Sequence, residues 1–321
     1  MVVFQPEPAY TRCMQSRKLS PTAKGYIYLF SGAVCVSFAS LFVKEAPIPP
    51  AMVAFYRLLL GGVALLAFAI VRGERWLPSR RMFWLMLAAG VFFSADLIAW
   101  HECILRLGPG LATIITNFQV FFLAIWGACV LHEKLSLGHK LAIPLALLGL
   151  FLLLEIRPQD LPTEVVVGLV LGIFTALSYT GYILVLRRSQ SIKERLPATA
   201  NMGVISLLSM FVVGLYCLGK GDSFVIPNLH TFGMLALLGI GCQAVGWVLL
   251  SSGLPRMPAS RAGLIMLTQP ALSFVWDILF YDRPTGPIGY LGAAVTITAV
   301  GMGLGLFGRK SGGKIREKHG T

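Results

Sequence analysis

Apolar residues fill this chain in long unbroken runs rather than in the alternation of a half-buried strand or the one-sided spacing of a surface helix. Ten such runs cover residues 25–43, 50–71, 82–105, 110–131, 137–154, 166–186, 197–218, 231–250, 259–281 and 286–308. Each spans about 18 to 24 residues, enough to cross a hydrocarbon core of about 30 Å as a helix rising 1.5 Å per residue. The connections between them are short and leave no room for a soluble domain. The pattern therefore predicts an all-α integral membrane protein with ten transmembrane helices.

Composition agrees with the pattern. Of 321 residues, 56% are hydrophobic and only 13% charged, where soluble domains carry about 25% charged residues. The net charge of +13 raises a nucleic-acid partner as an alternative, and the placement of the basic residues decides against it. With the N-terminus in the cytoplasm, 21 of the 27 Lys and Arg residues fall on the cytoplasmic side. Only Lys44, Arg106, Arg157, Lys220 and Arg283 fall opposite, and Arg57 lies inside a span. This asymmetry alternates loop by loop, as the positive-inside rule requires for a multi-pass protein of the inner (plasma) membrane with both termini cytoplasmic. The charge is a record of topology in a lipid bilayer, and no basic, aromatic soluble face exists for nucleic acid. The six cysteines include no C-x-x-C pair, so neither a disulfide framework nor a metal site is expected.

Shifting the chain by 149 to 150 positions brings unlike residues into register. Phe83 meets Phe232, Pro109 meets Pro258, Gln119 meets Gln269 and Trp126 meets Trp276. Glu133-Lys134 meets Asp282-Arg283 after a one-residue slip, and Lys44 meets Arg187 at a slightly shorter offset. Five spans per half is an odd number, which forces the second half to enter the membrane from the opposite side. The expected organisation is a cytoplasmic segment 1–24, a first five-helix repeat 25–156, a second repeat 157–308 and a basic cytoplasmic tail 309–321. Such a 5+5 inverted-topology repeat characterises secondary transporters, with the site near the midplane between the halves. Duplication used only to build a stable bundle is the plainer alternative.

The stretch "DLIAWHECILRLGPGLATIITNFQVFFLAIWGACVLHEKLS" resembles the signature region of EamA-type domains in the drug/metabolite transporter superfamily, and "FYRLLLGG" at residues 55–62 resembles the family's second helix. The family form carries a proline near mid-helix and an L-G-E-x-L-S ending. Here Val120 stands at the first proline position, Pro270 keeps the second, and the ending reads Leu131-His132-Glu133-Lys134-Leu135. The resemblance covers nearly the whole chain in two copies. It implies ten helices, transport of a small metabolite or amino acid, usually export, and no bound cofactor.

Polar groups inside the spans are the candidate chemistry, because a charge at the bilayer centre costs at least about 2.5 to 3.5 kcal/mol and must face protein or water. Arg57 and Asp96 fall at nearly the same depth and are placed to pair, either as a structural ion pair or with Asp96 linked to protons in a cavity. His101 follows at the helix end as a proton relay or a solvated interfacial residue. Gln269, Ser273 and Asp277 recur every fourth residue and form a polar stripe on one helical face. The repeated Gln119 and Gln269 sit near helix midpoints and are expected to line the substrate site, an interhelical amide bond being the plainer alternative. Asn117, Tyr182, Gln243 and Trp247 are further candidate lining residues, and Pro270 is the candidate hinge. Trp126 and Trp276 suit interfacial anchors.

Enzymatic motifs fail on context. Gly303-x-Gly305-x-x-Gly308 ends an apolar span and follows no strand. No phosphate-binding loop, no H-E-x-x-H and no G-x-S-x-G occurs. The sequence points to a secondary transporter for a small-molecule substrate, monomeric or homodimeric, driven by the solute gradient alone or by protons. A channel or receptor is the alternative from another class, and an intramembrane enzyme has less support.

Overall fold

The computed structural model describes residues 20–133, 137–153, 163–281 and 286–303. Among these residues the chain is helical, with no strand. The elements are α1 (Pro21–Ser37), α2 (Ala39–Glu45), α3 (Pro50–Val71), α4 (Arg80–Thr116), α5 (Gln119–Cys129), α6 (Leu137–Leu153) and α7 (Thr163–Ser189). They continue with α8 (Ala198–Lys220), α9 (Leu229–Ala236), α10 (Trp247–Gly253), α11 (Ala259–Met266), α12 (Thr268–Tyr281) and α13 (Pro287–Gly303). A π-helical stretch, Leu237–Gly246, joins α9 to α10. Starts follow local chemistry: the Ser20 hydroxyl accepts the Ala23 amide at 3.1 Å, with Pro21 at the first helical position.

Seven helical stretches among the described residues are long and apolar enough to cross a membrane: Pro21–Val43, Pro50–Val71, Arg80–Cys103, Thr163–Ser189, Ala198–Lys220, Leu229–Arg256 and Ala259–Phe280. Three more apolar helices, Gln119–Cys129, Lys140–Gly149 and Pro287–Ala299, are shorter. The chain is thus an all-α, multi-pass membrane protein.

Two features depart from the sequence expectation. The break expected at residues 106–109 is absent, and α4 runs without interruption from Arg80 to Thr116. Packing against α7 overrides the local Gly-Pro-Gly signal there: a Cβ on Gly168 would lie 2.6 Å from Leu107 Cγ, so the missing side chain lets α4 continue alongside α7. The chain instead turns at Asn117 and Phe118, where Phe118, Val120 and Phe121 bond three residues back rather than four. The expected Pro270 bend is also displaced. The ninth apolar stretch is interrupted at Leu267, and Pro270 sits in the first turn of α12, where its missing N–H has no intrahelical partner to lose.

Helices pack in a regular set of pairs. α4 lies along α7, α1 along the π stretch and α10, α3 against α8, α6 against α13, and α5 against α11. Lipid tails are as apolar as leucine, so close backbone approach rather than hydrophobic burial holds such helices together. At the crossing of α3 with the π stretch, a Cβ on Gly61 would meet Gly239 O at 2.6 Å and Gln243 Cγ at 2.7 Å. That contact brings Arg57, one turn before Gly61, against Gln243.

Candidate functional site

The buried polar centre is built by α3, α4, α7, α8, the π stretch and the start of α10. Arg57 Nε donates to Gln243 Oε1 at 2.8 Å, and Gln243 Nε2 donates to Ser206 Oγ at 3.0 Å. The widened π turn carries Gln243 into this position, and such insertions recur at functional sites. The guanidinium carbon lies 5.9 Å from the Phe93 ring centroid, a cation–π contact worth about 2 kcal/mol when desolvated. Phe93 stacks on Tyr182 at 4.4 Å and 12°, and Trp247 sets its ring at a steep angle to both, at 5.3 and 5.0 Å. Tyr179 closes the cluster against Trp247 and Tyr182, 6.1 Å from each. Tyr182 and Trp247 are fully buried, yet the Tyr182 hydroxyl and Trp247 Nε1 have no hydrogen-bond partner among the described residues.

Asp96 is buried, 6% exposed. The direct ion pair with Arg57 offered by their equal depth does not form. Ion pairs among the described residues join Glu102, Arg106, Glu164 and Lys220 in one group and Arg187 with Glu133 in another. Asp96 receives no hydrogen bond from the described residues, and the terminal nitrogens of Arg57 donate none to them. His101 is buried against Trp100, with ring centroids 5.1 Å apart, rather than solvated at an interface, and its Nδ1 has no partner among the described residues.

The remaining candidates fall elsewhere. Gln119 opens α5 directly after the turn at Asn117 and Phe118, and Gln269 lies two residues after the break at Leu267. Both repeated glutamines therefore stand beside helix interruptions, and Val120 shows that the first interruption forms without proline. Gln119 Oε1 and Gln269 Nε2 are buried without a hydrogen-bond partner among the described residues. Asn117 is buried at the first interruption. Ser273 donates to Ser37 O at 2.9 Å, and Trp276 Nε1 donates to Ser37 Oγ at 2.8 Å while stacking on Phe38. These contacts tie α12 to α1, so Trp276 is a packing residue rather than a free interfacial anchor. The side chain of Asp277 lies outside the described residues.

Two ionic clusters bracket the centre. At one end Glu102 accepts from Arg106 at 2.7 Å, Tyr216 at 2.7 Å and Lys220 at 2.9 Å, and Arg106 reaches Glu164 at 3.4 Å. At the other, Glu133 accepts the amides of Ala259 and Ser260 and the Ser260 hydroxyl, and pairs with Arg187 at 3.6 Å. Glu164 and Arg187 begin and end α7, about 35 Å apart at 1.5 Å per residue, so the clusters occupy opposite ends of the bundle. Sequence reasoning missed Phe93, Tyr179 and Ser206 in the centre. Phe93 lies three residues before Asp96 and Tyr179 three before Tyr182, a helical-face spacing that carries a signal once one member of each pair is suspected.

This arrangement defines a polytopic helical membrane protein with a polar, aromatic centre. The chain belongs to the EamA-like transporter family, whose pattern matches residues 23–155 and again 166–304. It is 23% identical to an uncharacterized transporter, YcbK, of Bacillus subtilis (strain 168), over 88% of this chain and 93% of that one. It is 26% identical to a probable amino-acid metabolite efflux pump of Escherichia coli (strain K12), over 85% of this chain and 91% of that one. A solved crystal structure of a protein matches with a TM-score of 0.78 at 17% identity, covering 89% of this chain and 99% of that one, which shows the shared fold. These relatives mark a transporter rather than an enzyme, with a small-molecule substrate and a lipid environment.

Proposed function

We propose that the chain is a ten-helix secondary transporter that exports a small organic metabolite, an amino acid or related compound, across the inner membrane by alternating access. The observation that carries this reading is the exchange symmetry of the helix contacts. The first five apolar segments are α1–α2, α3, α4, α5 and α6, and the second five are α7, α8, α9–α10, α11–α12 and α13. Exchanging the two sets turns the α4–α7 contact into the contact of α10 and the π stretch with α1. It turns α4–α8 into that of the π stretch with α3, and it maps α3–α8 and α6–α13 onto themselves. An inverted repeat of residues 25–156 and 157–308, flanked by the polar segments 1–24 and 309–321, produces this pattern.

Interrupted helices in corresponding positions of two halves point to the binding site of such transporters. Here the interruptions stand at Phe118 and Leu267, and Gln119, Gln269 and Asn117 are among the polar residues beside them. With Arg57, Asp96, Tyr182, Gln243 and Trp247 they form the proposed path for substrate. Pro270 and Ser273 lie on the α12 side, and Asp277 continues that helix. The Glu133 and Glu102 clusters then lie at the cytoplasmic and external ends, as the distribution of basic residues orients the bundle. Asp96 and His101 are the groups through which proton coupling would act. The amino-acid reading takes support from the relative named an efflux pump for amino-acid metabolites.

The test is an untargeted comparison of metabolites inside and outside cells that overproduce or lack the protein. The expected result is one or a few small species enriched outside overproducing cells and retained in cells lacking the protein. Identical pools in both strains would overturn export.

A further inference from the structure

We infer that the chain carries a second binding site, separate from the buried centre, which takes a phosphate group at the end of the bundle where α7 ends and α8 begins. A cavity of about 350 Å³ opens there between the segment joining α7 to α8 and the short turn Leu254–Arg256 that follows α10. Ligand pockets run from about 300 to 1,000 Å³, so there is room for a phosphate and a small organic group beside it. The lining is rich in donors and holds no acidic side chain. Arg195 comes from the first wall and Arg256 from the second, and neither forms an ion pair with a described residue. Each gives one guanidinium nitrogen to a backbone carbonyl, Arg195 Nη1 to Gln190 O at 3.3 Å and Arg256 Nη1 to Ser252 O. A guanidinium carries five N–H donors, so most of them are left over. Gln190 lines the same cavity and is 4% exposed, and its Nε2 has no hydrogen-bond partner among the described residues.

The start of α8 supplies further donors. Pro197 precedes the helix without a side-chain capping bond, which leaves the amides of its first turn free, and Ala198 lines the cavity. Free N–H groups and the helix dipole make such a terminus favourable for an anion. The molecule holds an occupied counterpart of this terminus. α11 starts on Met257-Pro258-Ala259-Ser260 and α8 on Leu196-Pro197-Ala198-Thr199. The two prolines share one conformation, φ −57° and ψ 145° at Pro258 against φ −48° and ψ 148° at Pro197. At α11 the carboxylate of Glu133 accepts the Ala259 and Ser260 amides and the Ser260 hydroxyl. At α8 Glu74 accepts the Thr199 hydroxyl but no amide, and it does not line the cavity. The same cradle that takes anionic oxygens at α11 is therefore open at α8, toward two arginines and an amide nitrogen. Donors converging from that many directions match the tetrahedral oxygens of a phosphate better than the two coplanar oxygens of a carboxylate. The phosphate is that of an anionic phospholipid headgroup or one in solution, and Arg187, Arg188, Lys193 and Arg195 against Glu194 attract either.

The test uses the purified full-length protein in two arms. In the first, nanodiscs of phosphatidylcholine receive radiolabelled inorganic phosphate, and bound label is counted. In the second, protein released from a mixture of phosphatidylglycerol and phosphatidylcholine is weighed by native mass spectrometry for the lipid it retains. Saturable phosphate binding identifies a phosphate in solution, and preferential retention of phosphatidylglycerol identifies a headgroup. Arg195→Gln and Arg256→Gln should each weaken the binding found by about tenfold, one charge-assisted contact being worth that much. Gln190→Leu should weaken it by a smaller factor. Arg188→Gln is the control: Arg188 is exposed at the same end but does not line the cavity, and its loss should leave binding unchanged. Absence of binding in both arms would overturn the inference, and so would binding that survives both arginine variants or falls equally in Arg188→Gln. Arg195 is exposed, so its variant keeps the question decidable should Gln190→Leu or Arg256→Gln fail to fold. Both arms read binding and not flux, so the result is independent of what the buried centre transports.

Discussion

Arg57 and Gln243 are joined by a hydrogen bond of 2.8 Å between α3 and the π-helical stretch, at the crossing where Gly61 meets Gly239. The bond links residues from the two sequence repeats and fixes the orientation of the one guanidinium in the buried centre. Gln243→Leu removes both the acceptor for Arg57 and the donor to Ser206. A hydrogen bond to a charged group contributes about 1.5 to 3 kcal/mol, so the variant should unfold measurably earlier in a thermal scan in detergent. Gln243→Glu, which keeps an acceptor for Arg57, should lose less. Equal midpoints for Gln243→Leu and the unmodified protein would show that the bond does not support the fold.

Gly61→Val should be among the more damaging single changes in α3. Its Cβ would lie 2.6 Å from a backbone oxygen that has nowhere to retreat, and overpacking of this kind costs about 1 to 3 kcal/mol. Gly219→Ala is the control, because nothing lies within 4 Å of its Cβ position, and alanine's helix preference should leave stability unchanged or raise it by up to about 1 kcal/mol. Size-exclusion profiles and unfolding midpoints of the two variants check the contrast, and similar behaviour of both would contradict the packing described for this crossing.

Glu133 caps α11 from the end of the preceding repeat and holds Arg187 beside it. Glu133→Ala should speed hydrogen exchange at the amides of Ala259 and Ser260, since a lost N-terminal cap costs about 0.5 to 2 kcal/mol. Glu133→Gln retains an acceptor oxygen and should show a smaller effect. Unaltered exchange in the alanine variant would mean that the cap is not formed in the membrane.

Tyr182 is fully buried with an unpartnered hydroxyl. A buried polar group without a partner costs about 1 to 3 kcal/mol, so Tyr182→Phe should raise the unfolding midpoint of the ligand-free protein. A lower midpoint would show that the hydroxyl has a partner in the membrane.

The membrane class was legible because hydropathy and the asymmetry of Lys and Arg follow directly from the physics of the bilayer. The repeat was legible through Gln119 with Gln269 and Trp126 with Trp276, residue types too scarce in apolar spans to coincide cheaply. The position of the helix breaks was not. Local cues placed one at Gly108-Pro109-Gly110, where packing on α7 keeps α4 helical, and another at Pro270, which begins a helix instead of bending one. Arg57, Asp96, Tyr182, Gln243 and Trp247 stood out singly as polar or amphipathic groups inside spans. That Arg57 takes Gln243 rather than Asp96 depends on a π turn and a glycine crossing that no residue spacing reveals. Phe93 and Tyr179 were hidden among 20 phenylalanines and 9 tyrosines, because an aromatic wall becomes visible only when separate helices bring its members together.

The central claim, alternating access to one buried site, is tested most directly by counterflow in liposomes loaded with the unlabelled metabolite that the comparison of cell and medium identifies and diluted into its labelled form. The account predicts transient accumulation of label above equilibrium, saturation with concentration, and loss of both in Arg57→Gln. Flux that rises without saturation and carries an ohmic conductance would contradict it and make the protein a channel.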